Sequence, residues 1–205
     1  MKTKFLFLFL LSSFLFAQSG NEFLKRVQGK FNSLGNFTAD FSQAIYATQG
    51  SNPAKVTGKF YYKKKNKFIV ELKNEMIVSD GNTIWNLNKK FNRVVISYFS
   101  DDPTSFSLET FVFDYPPLCK IRLVKEEHAA PGEGILELTP KDQDMEFKSV
   151  KIYVNKEGLI SALEIIDRGD IKYNFQFSNF KLNQDMPDSK FTYNPPKGIH
   201  IIDLR

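Results

Sequence analysis

Short runs in which apolar and polar side chains alternate, each closed by turn-forming residues, recur along the chain from Asn36 onward. In the first run Phe37, Ala39, Phe41, Ile45 and Ala47 alternate with Thr38, Asp40, Ser42, Ala44 and Tyr46. A period of two is the mark of a strand wetted on one face. Similar runs occupy residues 56–63, 67–72, 76–79, 83–87 and 93–97, then 120–125, 135–139, 150–155, 159–167, 171–182 and 191–193. Asp80-Gly81-Asn82 between two of them suits a tight hairpin turn. So many short strands joined by hairpins cannot remain a flat sheet, because a twisted antiparallel sheet of this size curls and so acquires an inside.

Two segments depart from this period. Phe23, Leu24, Val27, Phe31 and Leu34 recur at helical spacing, with Ser19 to Glu22 at capping-box spacing before them and Gly35 after. Asp101-Asp102-Pro103 is a helix start, followed by Phe106, Leu108, Phe111, Val112 and Phe113 and stopped by Pro116-Pro117. A short helix apolar around most of its circumference must be covered on more than one side. Apolar helices across the opening of a curled sheet would make a lined cavity with a lid.

Residues 1–17 read MKTKFLFLFLLSSFLFA, with two lysines, an apolar run and a small residue before a polar stretch. This is the layout of a secretory signal peptide cleaved after Ala17, leaving residues 18–205 as one domain. With Lys2 and Lys4 removed, 26 basic residues face 23 acidic ones, so the mature net charge of +3 demands no polyanion. The basic run at Lys63, Lys64, Lys65 and Lys67 reads as a solvated hairpin end rather than a nucleic-acid contact. Cys119 is the single cysteine and can form no intramolecular disulfide; without a Cys or His partner at ligand spacing it argues against zinc.

Catalytic signatures do not emerge. The chain carries two histidines, His128 and His200, and shows no GxSxG elbow, HExxH, phosphate loop or CxxC. Asp101-Asp102 reads as a helix cap, and Asp142 with Asp144 lacks calcium-loop spacing. The expectation is therefore a non-enzyme with no cofactor and no metal. Sixteen Phe remain after the signal segment. Composition leaves two readings of them open, a packed core and a lining for a ligand.

Four blocks then carry a resemblance. Met76-Ile77-Val78-Ser79-Asp80-Gly81-Asn82-Thr83-Ile84-Trp85 resembles the VSDG hairpin of the periplasmic outer-membrane lipoprotein carrier family, LolA. Phe37-Thr38-Ala39-Asp40-Phe41-Ser42-Gln43 is similar to its first strand, and Gly58-Lys59-Phe60-Tyr61-Tyr62-Lys63 with Phe68 to its second and third. Phe191-Thr192-Tyr193-Asn194-Pro195-Pro196-Lys197-Gly198-Ile199 is similar to its closing segment. The blocks fall in family order over nearly the whole mature chain.

The resemblance implies an unclosed antiparallel β-barrel of about 11 strands with an α-helical lid over a hydrophobic cavity. It also implies a periplasmic chaperone that moves lipoproteins from the inner to the outer membrane, working as a monomer. Its partners would be acylated lipoproteins, an inner-membrane ABC transporter that releases them and an outer-membrane acceptor. By position, the acyl cavity would involve Phe37, Phe41, Phe68, Ile77, Trp85 and Leu87, with Phe106, Phe111 and Phe113 on the lid. Where the family carries a lid-latching arginine followed by proline, this chain has Lys64 and Lys65. Lysine lacks the planar fork of arginine, so a latch at Lys64 would be a different contact. A second reading of the same barrel is a lipid- or lipoprotein-sensing interaction protein of the envelope.

Overall fold

Hairpins dominate the computed structural model, which describes residues 8–47, 52–100, 107–124 and 133–205. Its strands are β1 (Asn36–Tyr46), β2 (Ala54–Lys63), β3 (Lys67–Leu72), β4 (Glu75–Asp80), β5 (Thr83–Asn88) and β6 (Arg93–Tyr98), then β7 (Cys119–Val124), β8 (Gly134–Pro140), β9 (Phe147–Val154), β10 (Ile160–Asp167), β11 (Lys172–Leu182) and β12 (His200–Asp203). The mainly β class and the open antiparallel sheet agree with the sequence reading, with 12 strands rather than about 11.

The end of the chain differs from expectation. Residues 191–193 form no strand; Asp188–Phe191 is a 3-10 turn, and the last strand is β12. β12 pairs in parallel with β6, Ile201 opposite Val94. Four residues offer too little alternation to read in sequence, and this strand exists because a preformed edge accepts it.

The chain divides into two compact units, through which β1 and β11 both pass. One unit comprises residues 34–44, 53–111 and 175–205, with strand order β12-β6-β5-β4-β3-β2-β1-β11. Because side chains alternate, its sheet has two distinct apolar faces. One carries Phe37, Phe41, Phe60, Tyr62 and Phe68. On the other, Ile69, Val78, Trp85, Leu87, Val94 and Ile96 pack with Met186 and Phe191.

The second unit comprises the chain up to Ser33, residues 45–52 and residues 112–174. Here β10, β9, β8 and β7 are successive neighbours, and registers such as Leu136 with Ile152 and Leu138 with Val150 put fully buried aliphatic side chains on one face. Helix α1 (Leu8–Ser33) packs on β7 and β8 through buried Phe23, Leu24, Val27 and Phe31. Gly134 makes room for it, since a Cβ there would lie 2.9 Å from the Phe23 ring. The helix runs straight through the Ser19 to Glu22 capping signal, continuous with the segment before it from Leu8.

Asp101-Asp102-Pro103 and Phe106, the expected start of the second helix, lie outside the described residues. Its described part is one helical turn at Leu108 and Glu109 continuing into a π-helix, Thr110–Asp114, and a 3-10 turn, Pro116–Leu118. In the second unit Gln28 Nε2 donates to the Val112 carbonyl (2.9 Å), and Phe113 meets Phe31 edge-on at 6.0 Å. A side chain that satisfies a helix carbonyl from outside suits a π-helix, whose hydrogen-bond ladder departs from the α register.

Candidate functional site

Alternation on neighbouring strands builds the aromatic face. β1 presents Phe37, Ala39 and Phe41; β2 presents Phe60 and Tyr62; registers Tyr62 with Phe68 and Phe60 with Val70 extend the stripe onto β3. β11 adds Phe175 and Phe177. Left-handed backbone at Asn179 (φ 53°) then breaks the alternation, so Phe180 also reaches Phe37. Ring centroids lie 5.0 Å apart for Phe37 and Tyr62, 5.2 Å for Phe60 and Phe177, 5.6 Å for Phe41 and Phe177, and 6.4 Å for Phe60 and Phe68. Such offset and edge contacts add about 0.5–1.5 kcal/mol per pair beyond burial. The result is a broad apolar surface whose polar handle is the Tyr62 hydroxyl.

The structure divides the expected site residues. Phe37, Phe41 and Phe68 belong to the array, and half-buried Ile77 sits opposite Val70 on the same face. Trp85 pairs with Val78 and Leu87 with Met76, which sets both on the opposite face among Ile69, Val94 and Met186. The expected cavity residues thus fall on both faces of the sheet, because a one-residue step along a strand reverses the face. Phe111 is buried, Phe113 packs on Phe31 of α1, and Phe106 is outside the described residues. Phe60, Tyr62, Phe175, Phe177 and Phe180 were missed. The same two-residue spacing marks the first four in the sequence, whereas Phe180 depends on the irregularity at Asn179.

A polar clasp adjoins the array. The three-residue β2–β3 turn, Lys64 to Asn66, holds Lys65 (φ 69°) and Asn66 (φ 55°) in left-handed conformations. The VSDG motif supports this turn. Buried Ser79 donates to the Asn66 carbonyl (2.9 Å) and accepts from the Gly81 amide (3.1 Å), while Asp80 Oδ1 accepts from the amides of Asn82 and Thr83 at 2.8 Å each. Gly81 (φ 95°) is required there, since a Cβ would lie 2.3 Å from the Lys65 carbonyl oxygen.

The turn also binds residues 107–109. Glu109 Oε1 accepts from the Tyr62 hydroxyl (2.5 Å) and from the Lys65 amide (2.9 Å). The Ser107 hydroxyl donates to Asn66 Oδ1 (2.5 Å) and accepts from the Glu109 amide (3.2 Å). Burial, then the hydrogen bond and charge of Glu109, drive the Tyr62 phenol far above its ordinary range, so it remains a donor. Lys64 lies within the same turn, its amide donating to the Gly35 carbonyl (3.3 Å).

Behind the turn runs a strap formed by residues 184–199. Asp188 bridges Lys63 (2.5 Å) and Lys67 (2.6 Å), and Lys63 Nζ also reaches the Met186 carbonyl (2.7 Å). The hydrogen bonds from Lys63 and then Lys67 hold the Asp188 carboxyl at about 2, below its ordinary value. Two lysines of the basic run are thus ion-paired on the strap. Among the described residues, no group of three or more His, Cys, Asp or Glu is placed to hold a metal.

Comparison with known proteins agrees with this geometry. The family model described as outer membrane lipoprotein carrier protein LolA matches residues 32–194. The outer-membrane lipoprotein carrier protein of Pseudomonas putida (strain GB-1) is 28% identical over 202 residues, covering 91% of this chain and 90% of that protein. The protein of the same name from Klebsiella pneumoniae (strain 342) is 23% identical over 199 residues, covering 96% and 95%. The crystal structure of an uncharacterized conserved protein from Thermus thermophilus aligns with a TM-score of 0.57 at 16% identity, over 90% of this chain and 99% of that one, a likeness of fold alone. Since the family model takes in both the aromatic face and the VSDG-supported turn, this chain belongs to the outer membrane lipoprotein carrier protein LolA family.

Proposed function

We propose that this protein is a periplasmic carrier that shields the acyl chains of lipoproteins against the Phe37, Phe41, Phe68 and Ile77 face and moves them from the inner to the outer membrane. Phe111 and Phe113 would belong to the lid. The observation that carries this reading is the set of ring contacts that joins Phe37, Phe41, Phe60, Tyr62, Phe68 and Phe177 on one face of the sheet. An acyl chain gains about 0.8 kcal/mol per methylene removed from water, so one of roughly 14 methylenes is worth on the order of 11 kcal/mol. A carrier must hide that surface and still let it go. Loading in this reading exchanges ring-to-ring contacts for ring-to-chain contacts, and the net affinity is their difference.

In this proposal the turn that carries Lys64 latches the lid, with Tyr62, the Lys65 amide and Asn66 holding Glu109 and Ser107. Residues 1–17 act as the cleaved export signal. Cargo comes from an inner-membrane ABC transporter and passes to an outer-membrane acceptor, without catalysis. Native mass spectrometry of the protein purified from a periplasm tests the proposal. Bound acylated lipoprotein is expected in the unaltered chain and none in Phe41→Glu, with secretion retained. Equal loading of both removes the aromatic face from the mechanism.

A further inference from the structure

In the second unit a cleft of about 530 Å3 lies between α1, the Pro116–Leu118 turn and β7. Buried Leu24 and Pro116 and half-buried Ile121 line it together with Asn21, Lys120 and Lys141. Lys59, Lys63, Lys67, Lys148 and Lys172 each have a carboxylate partner. Among the described residues neither Lys120 nor Lys141 has one; Lys141 Nζ is held instead by the Pro117 carbonyl at 2.9 Å. A cleft lined by apolar side chains and two cations without counter-ions is complementary to an anion that carries an aliphatic group. Its volume falls within the roughly 300–1,000 Å3 of sites that accept drug-sized ligands, about the size of a few peptide residues.

We infer that this cleft is a docking site for a short acidic segment of a partner protein, anchored by one aliphatic side chain. Gln28 also lines the cleft, and its amide nitrogen holds the Val112 carbonyl of the π-helix. A segment seated there bears on the link between α1 and the element proposed as a lid. Docking itself does not depend on the carrier reading; its consequence for cargo does.

The test titrates the mature full-length protein with an N-acetylated, C-amidated Glu-Leu-Glu-Glu tetrapeptide and follows backbone amide shifts by NMR. Saturable shifts confined to α1, residues 116–121 and Lys141 are expected, weakening with salt. The double variant Lys120→Glu and Lys141→Glu should bind at least tenfold more weakly, while its Trp85 emission stays that of the unaltered fold. Three results overturn the inference. They are equal binding of a Lys-Leu-Lys-Lys peptide, full displacement by inorganic phosphate alone, and lysine-dependent binding to phosphatidylglycerol vesicles without peptide binding. Acyl loading of the unaltered protein is measured alongside. Its absence counts against the carrier reading alone, and loss of peptide binding in the double variant with loading retained supports docking apart from the cavity.

Discussion

The Tyr62 hydroxyl donates to Glu109 Oε1 across 2.5 Å, and the same oxygen accepts the Lys65 amide at 2.9 Å. Tyr62 is 1% exposed, and its ring lies 5.0 Å from that of Phe37. The polar clasp is thereby mounted directly on the apolar array, so movement of residues 107–109 and rearrangement of the rings are mechanically linked.

Glu109→Ala removes the carboxylate that accepts from the buried Tyr62 hydroxyl, at a cost of about 1–3 kcal/mol. Urea unfolding should show that loss, and binding of an environment-sensitive hydrophobic fluorophore should increase. Tyr62→Phe should shift both readouts in the same direction by less, because Glu109 keeps the Lys65 amide. Unchanged fluorophore binding in both variants would leave the clasp a structural bond only.

Acid should loosen the strap. The Asp188 carboxyl is held at about 2 by Lys63 and Lys67, below its ordinary value of 3.8. A depressed carboxyl stabilises the fold fully above its unfolded value and loses that contribution as pH falls through the folded one. The window therefore runs from about pH 4 down to about pH 2. Trp85, the only tryptophan, packs with Met186 and Phe191 of the strap, so its emission reports the change. The step present in the unaltered protein should be missing from Asp188→Asn; an identical step in both assigns it to another group.

Gly81→Ala should destabilise by about 1–3 kcal/mol, because φ of 95° is strained for any residue with a side chain. The added Cβ would also press on the Lys65 carbonyl. Thermal unfolding measures the loss, and the hydrophobic fluorophore should report a loosened turn. A variant as stable as the parent would show that the VSDG turn tolerates rearrangement.

The two faces of the sheet should separate cleanly by mutation. Trp85→Phe lies in the strap-covered cluster and should leave acyl loading unchanged. Phe68→Ala, 2% exposed within the array, should lower stability by about 3–5 kcal/mol and reduce loading. Phe68→Leu separates the effects, retaining most of the buried volume while removing the ring. Loading lost with Trp85→Phe and kept with Phe68→Leu would move the acyl surface to the opposite face.

Most of the strands were legible in the sequence, because alternation is written residue by residue: Phe37, Ala39 and Phe41 are buried as their spacing requires, whereas β12 was too short to read. It also marked the Asp80-Gly81 turn, whose glycine meets a local steric demand. Which face each strand turns to its neighbour, and hence that Trp85 lies across the sheet from Phe68, came from the pairing of strands. Strand register is a relation between segments, and shifting it by one residue reverses every side chain without altering the alternation in either. The same holds for the bonds of Glu109 to Tyr62 and of Asp188 to Lys63 and Lys67, which join residues 47, 125 and 121 positions apart. Sequence spacing carries no signal over such distances, because the folded sheet sets which side chains come within hydrogen-bonding reach.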